Sequence, residues 1–158
     1  MFHLVRGLVY GSLFVALLLV FVPARLLSWS GVARPPAWGP AQWTGAIIAV
    51  LGAALAAWCV LAFALRGRGT PAPFDPPRRL VVAGPYRYVR NPMYLGAALA
   101  LLGAAIFYGS VILAGYAVAF LAAAHLFVTR YEEPVLSRTF GPDYDDYRRR
   151  VRRWLPGR

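Results

Sequence analysis

The chain contains no lysine, a single cysteine, two histidines and only six acidic residues among its 158. Cys59 has no partner within the chain, which excludes an intramolecular disulfide and a cysteine-based metal cluster. His3 and His125 lie far apart in sequence, so a histidine metal site has little support. The scarcity of acids leaves 17 arginines unbalanced and the net charge at +11. Polar helix faces are also scarce. The chain is 59% apolar with a mean hydropathy of +0.55, where soluble domains are nearer half apolar. Its apolar residues fall into blocks at 7–27, 43–65, 92–108 and 110–129, close to the 17–25 residues that cross a bilayer as a helix. A soluble protein with a buried core would need polar faces that these blocks lack. The expected fold is therefore all-α: a single integral membrane domain over residues 1–158, with four transmembrane helices.

The arginines are not spread as on a nucleic-acid-binding face, so nucleic acid is not the expected partner. One precedes the first span, two lie between spans one and two, six between spans two and three, and eight from residue 130 onward. Four spans put the first, third and fifth of these segments on one side. The positive-inside rule then places both termini, the loop 66–91 and the tail 130–158 in the cytoplasm. There the arginines would attract anionic lipid headgroups. Residues 7–27 have some features of a signal peptide, but the apolar run continues to Leu27 and three further spans follow. A retained transmembrane helix is the reading adopted.

Residues 31–42 are rich in proline and glycine and break any helix. Trp29, Trp38 and Trp43 flank this loop as interfacial anchors would. Span two carries Gly45, Ala49, Gly52, Ala53 and Ala56, and span three Gly96, Ala100, Gly103 and Ala104. Small residues at this spacing let helix backbones approach closely in lipid. In the loop 66–91, Pro71, Pro73, Pro76 and Pro77 favour extended chain. Pro92 suits the first turn of span three. Only Gly109 separates spans three and four, so they form an antiparallel hairpin that brings Arg90–Leu95 beside His125–Glu133. Residues 142–155 read as one further helix with Tyr144, Tyr147, Val151 and Trp154 on one face and arginines around the rest. That pattern predicts an interfacial amphipathic helix, which could also act as a lid.

Of the acids, Asp143, Asp145 and Asp146 open the tail helix, where negative charge suits the helix dipole, and Asp75 sits among prolines. Glu132 and Glu133 differ, because they lie within a turn of the apolar boundary and opposite Arg87 and Arg90. They read either as interfacial ion pairs or as site residues. His125 lies about two turns inside span four, where Thr129 and Glu132 follow at i+4 and i+7 on the same ideal helix face. An intramembrane histidine is a site candidate, and equally a group hydrogen-bonded to a neighbouring helix.

Residues 84–96, G-P-Y-R-Y-V-R-N-P-M-Y-L-G, followed by E-E-P-V-L-S-R-T-F-G-P-D-Y-D-D-Y-R-R-R-V-R-R-W-L-P, resemble the isoprenylcysteine carboxyl methyltransferase and phospholipid methyltransferase superfamily of integral membrane enzymes. The resemblance covers residues 84–156. The superfamily pattern is R-H-P-x-Y, then E-E-x-x-L, then F-G-x-x-Y-x-x-Y. Arg90, Pro92 and Tyr94 match the first element, and Asn91 replaces its histidine. Glu132, Glu133 and Leu136 match the second, and Phe140, Gly141, Tyr144 and Tyr147 the third. The resemblance implies that these segments enclose S-adenosylmethionine at the cytoplasmic end of the last two helices, with lipophilic substrate entering from the membrane. It implies cofactor contacts from Gly84, Tyr86, Asn91, Tyr94, Leu95, Glu132 and Glu133, with His125 counted beside them from its position in span four. Arg90, Arg130 and Glu133 would line the reaction centre. Asn91 can donate and accept hydrogen bonds but carries no charge.

The function implied is methyl transfer from S-adenosylmethionine to a lipophilic or membrane-embedded carboxylate, amine or thiol. The arginine-only, alanine-rich composition resembles a compact bacterial member, which implies the cytoplasmic membrane of a bacterium. Two alternatives remain open: a nicotinamide-dependent membrane lipid reductase, since steroid-reductase-like enzymes look similar in their C-terminal helices, and a non-catalytic scaffold that binds anionic lipid. The acceptor and the oligomeric state are not legible in the sequence.

Overall fold

The computed structural model describes residues 15–35, 37–62 and 80–156. The proline-rich half of the loop 66–91 and the beginning of the first predicted span lie outside the described residues. What is described is helical, with no strand among the described residues. Helix α1 spans Leu17–Trp29, α2 Pro40–Ala62, α3 Pro92–Tyr108, α4 Val111–Phe127, α5 Glu133–Phe140 and α6 Pro142–Arg150. A 3₁₀ turn at Gly84–Arg87 precedes α3. A π-helical turn at Val128–Glu132 joins α4 to α5, making one continuous helix over Val111–Phe140.

Two helices, Pro40–Ala62 and Val111–Phe140, are long and apolar enough to cross a membrane, while Leu17–Trp29 and Pro92–Tyr108 are shorter apolar helices. Their large side chains point outward. Ile47, Val50, Leu51, Trp58, Val111, Val118 and Leu126 are all exposed. An apolar surface this extensive needs a lipid or protein partner.

The helices can expose their bulk because their contacts use small residues. Helices α2 and α3 pack antiparallel, backbone against backbone. A methyl group on Gly45 would lie 2.5 Å from the Phe107 nitrogen, and one on Gly52 would lie 2.5 Å from the Ala100 nitrogen. On the opposite helix, a methyl group on Gly96 would lie 2.7 Å from the Gly52 carbonyl oxygen. The small-residue spacing in both spans is thus the mutual interface, as close packing without a hydrophobic driving force requires.

The α3–α4 hairpin has the expected tight turn. Gly109 caps α3 in the left-handed region at φ 62°, which glycine adopts without a Cβ penalty. Ser110 then caps α4, its hydroxyl accepting from the Leu113 N–H at 3.3 Å. The start of α3 is thereby placed beside the end of α4.

Both π turns have the same local cause. Each ends two residues before a proline: Leu17–Phe21 before Pro23, and Val128–Glu132 before Pro134. Proline has no N–H and its ring clashes with the carbonyl four residues back. Widening the preceding turn removes that clash. In the first case the Val22 N–H returns to the Leu17 carbonyl, five residues back. The next such bond would come from Pro23, which cannot donate. The Tyr116 hydroxyl of α4 donates to the Leu18 carbonyl instead, at 2.9 Å. A proline is thereby accommodated within an apolar helix, and the carbonyl it frees is satisfied internally.

The tail departs from expectation in one respect. The predicted helix 142–155 ends at Arg150, and Val151 is extended at φ −123°, ψ 125°. Tyr144, Tyr147 and Val151 are buried together against Leu80, Leu136 and Phe140. The aromatic face of α6 is therefore packed on protein and does not lie in the lipid interface. The acids at its start pair locally, Asp145 with Arg148, and Asp146 with Arg149 and Arg150.

The α2–α3 contact makes a sharp prediction. Gly52→Val forces overpacking against backbone and should destabilise the protein by about 1–3 kcal/mol or more. Gly115, on α4, has open space where its side chain would lie. Gly115→Ala should be neutral or stabilising by up to about 1 kcal/mol. Thermal unfolding in a fixed detergent compares the two, and equal midpoints would exclude the close-packed interface.

Candidate functional site

The hairpin, the second π turn and the tail converge on one carboxylate. Glu133 is 8% exposed. Arg153 grips it with two parallel bonds, Nε to Oε1 at 2.7 Å and Nη2 to Oε2 at 2.9 Å. The Nη1 of Arg90, immediately before α3, lies 3.1 Å from Oε1. The same Nη1 donates to the Tyr144 hydroxyl at 3.3 Å. Forked arginine–carboxylate pairing of this kind fixes both distance and plane. One anionic group thus ties together the α3 start, the α5 start, α6 and the segment after α6.

Glu132 faces elsewhere, as adjacent helical residues must. It accepts from the Tyr94 hydroxyl of α3 at 3.0 Å. No arginine among the described residues forms an ion pair with it. Neighbouring carboxylates therefore sit in unlike surroundings, one between two cations and one against a phenol. The π turn matters here, because it sets the rotation at which both acids emerge from the helix.

Asn91 caps α3 without using its side chain for that purpose. Its Nδ2 donates to the Arg153 carbonyl at 3.2 Å, and the neighbouring Arg90 N–H donates to the Arg152 carbonyl at 2.9 Å. Tyr147 donates to the Tyr86 carbonyl at 2.7 Å. Burial pushes the phenols of Tyr144, Tyr147 and Tyr86 above the usual range, so they act as neutral hydrogen-bonding groups. The bonds to Glu133 hold the Arg153 guanidinium charged still more firmly than in water.

Arg90, Asn91, Val128, Glu132, Glu133, Leu136, Tyr144 and Tyr147 line a cavity of about 20 Å³. That is room for about one water molecule. The side chain of Arg90 is nine-tenths buried, and its Nε has no hydrogen-bond partner. A buried orphan donor is costly and marks a place where a ligand oxygen or a water would be held.

The residues singled out from sequence divide clearly. Arg90, Asn91, Glu132 and Glu133 line the cavity, and Tyr94 reaches it through Glu132. Tyr86 is linked to it through Tyr147, whose hydroxyl donates to the Tyr86 carbonyl. Gly84 lies one turn earlier at φ 58°, against Trp58. Leu95 is half-buried, its N–H bonded to the Asn91 carbonyl. Arg130 and His125 are exposed and do not line the cavity. His125 instead accepts from the Trp154 indole N–H at 3.0 Å. The i, i+4, i+7 spacing that grouped it with Glu132 assumes an unbroken α-helix, and the π turn begins at Val128. Arg87 is exposed as well, so of the two described arginines of that loop it is Arg90 that meets Glu133. Arg153 was not singled out, because nothing in a run of arginines marks one of them. Tyr144 and Tyr147 were read as a lipid-facing stripe although they belong to a recognised motif.

Residues 40–143 match the family described as phospholipid methyltransferase. The chain belongs to that family. The match begins at α2, well before the motifs that suggest it, and places the protein within the superfamily of isoprenylcysteine carboxyl and phospholipid methyltransferases. This phospholipid methyltransferase family member also resembles the nickel-cobalt-cadmium resistance protein NccN of Alcaligenes xylosoxydans xylosoxydans, at 35% identity over 77 residues. That stretch is 49% of this chain and 36% of NccN, so the chain spans about a third of the relative's length. No solved structure matches. Family membership together with two span-length apolar helices points to membrane association.

The site's supporting bonds can be tested by stability. Tyr147→Phe removes the buried hydrogen bond to the Tyr86 carbonyl and should cost about 1–3 kcal/mol. Arg138→Ala, at an exposed position on α5, should stay within about 0.5 kcal/mol of wild type. Thermal unfolding midpoints of the two variants should therefore separate by several degrees.

Proposed function

We propose that the protein transfers a methyl group from S-adenosylmethionine to a lipophilic or membrane-embedded acceptor, a carboxylate, amine or thiol, at the cytoplasmic interface of a bacterial membrane. In this reading four helices span the bilayer, both termini are cytoplasmic, and exposed arginines such as Arg87, Arg130 and Arg138 meet anionic headgroups. The observation that carries it is Glu133, buried between two arginines at the mouth of the α3–α4 hairpin, in a chain of the phospholipid methyltransferase family.

The residues suit the cofactor chemically. Glu132 and Glu133 offer carboxylates for a cationic group, Asn91 and Tyr94 offer neutral polar contacts, and the unpartnered Nε of Arg90 offers a donor for an oxygen. When bound, S-adenosylmethionine supplies an activated methyl group with a neutral thioether as leaving group. The protein's own contribution is then mainly alignment and exclusion of water, and good alignment is worth about 7–11 kcal/mol. Arg90 suits an anionic acceptor, and an ionised carboxylate acceptor needs no base. An amine or thiol must first lose a proton, and Glu132 is the carboxylate placed to accept it without breaking an arginine pair.

Calorimetric titration of S-adenosylmethionine and, separately, NADPH into the full chain in lipid nanodiscs tests this, with wild type beside Glu133→Gln. Both proteins are first shown to be folded by thermal unfolding. We expect micromolar S-adenosylmethionine binding in wild type, weakened roughly 100-fold or more in the variant, as for loss of a buried charge contact of about 3 kcal/mol. Binding of NADPH alone would turn the reading toward a lipid reductase, and binding of neither would leave no cofactor enzyme.

A further inference from the structure

The cavity between Glu132, Glu133 and Arg90 holds little more than a water, whereas sites for ligands of cofactor size occupy several hundred cubic ångströms. The non-helical stretch 151–156 after α6 is bonded to three of the residues that line it, Arg90, Asn91 and Glu133. Five separate contacts hold this stretch down. Val151 is buried with Tyr144 and Tyr147. The Arg90 N–H donates to the Arg152 carbonyl, and Asn91 donates to the Arg153 carbonyl. Arg153 fills both oxygens of Glu133. Trp154 donates to His125 on the flank of α4.

The charge pattern shows which of these contacts has to yield. Glu133 faces Arg90 and Arg153 together, and with Glu132 beside them the two cations and two carboxylates balance. While Arg153 stays, both oxygens of Glu133 are taken and no net negative charge is left for a cationic ligand. Arg90 is the inner partner, with a side chain 9% exposed, and Arg153 is the outer one at 32%. Removing Arg153 leaves a balanced Arg90–Glu133 pair with Glu132 beside it, and the site becomes attractive to a cation.

We infer that residues 151–156 form a strap latched by Arg153, and that the cationic end of the methyl donor binds by replacing the Arg153 guanidinium at Glu133. This deepens the methyl-donor reading and rests on it. The strap swings from Val151, whose side chain stays anchored against α6, and lifting it opens the cavity from the side facing the tail. Because only the unlatched fraction of molecules is competent, the latch lowers the apparent affinity by that fraction.

The test uses the full chain in nanodiscs, with Arg153→Gln, the charge-retaining Arg153→Lys, and Trp154→Phe, which loosens the far end of the strap while keeping Arg153. Hydrogen exchange at the Arg90 amide, without ligand, reads the latch. Calorimetry with S-adenosylmethionine reads the replacement of one cation by another. We expect exchange at Arg90 to quicken roughly tenfold in Arg153→Gln, and S-adenosylmethionine to bind roughly tenfold tighter than to wild type. Arg153→Lys should fall between the two, and Trp154→Phe should move both readouts in the same direction if Arg153→Gln does not fold. Wild type that binds while Arg153→Gln or Trp154→Phe binds equally or more weakly would overturn the latch and make Arg153 part of the binding surface. Wild type that does not bind at all would sink the methyl-donor reading and the cation replacement together. Unchanged exchange at Arg90 would remove the strap itself.

Discussion

A carboxylate buried beside apolar helices needs cations around it, and much of the site's geometry follows from that requirement at Glu133. An uncompensated charge there would be strongly unfavourable. Arg90 and Arg153 come from segments about 60 residues apart, and both end on the same pair of oxygens. To reach it, Arg90 must sit at the lip of α3 and the chain after α6 must leave its helix. The orientation of Asn91, the burial of Tyr144 and the small size of the cavity are consequences of the same convergence.

The carboxylate is delivered to that point by a proline. Pro134 forces the turn before it to widen, and the resulting π turn sends Glu132 toward Tyr94 and Glu133 toward the arginines. The same arrangement of π turn and proline occurs in α1, where a tyrosine hydroxyl from α4 fills the carbonyl that proline leaves bare. In one helix the device serves packing alone. In the other it gives two adjacent acids different surroundings, which is what separate roles in binding and proton transfer would need. The scaffold behind it is stiff because α2 and α3 meet through glycines with no room for side-chain rearrangement.

Much of this was legible in the chain. Apolar blocks without polar faces demand a helical fold with an apolar exterior. A single glycine between two of them demands a hairpin. The hairpin alone brings Arg90 and Asn91 beside Glu132 and Glu133, since short connections leave no other arrangement. The small-residue spacing announced a close helix contact, and the motifs after Gly84 pointed to the methyltransferase superfamily to which the chain belongs.

Other features required the folded molecule, and the reason is the same in each case: they depend on contacts between residues that share no periodicity. Nothing in a run of arginines distinguishes Arg153, which is selected only by its distance to Glu133. Helical spacing placed Trp154 on one face with Tyr144 and Tyr147, but the helix ends at Arg150 and Trp154 pairs with His125 instead. His125 was grouped with Glu132 by ideal helix arithmetic, which the π turn interrupts, while Arg130 was placed at the reaction centre by the family resemblance. Local pattern determines which segments are helical and which ends meet. The partner of each charge at those ends is decided by tertiary structure, because electrostatic pairing depends on position in space and carries no signature along the chain.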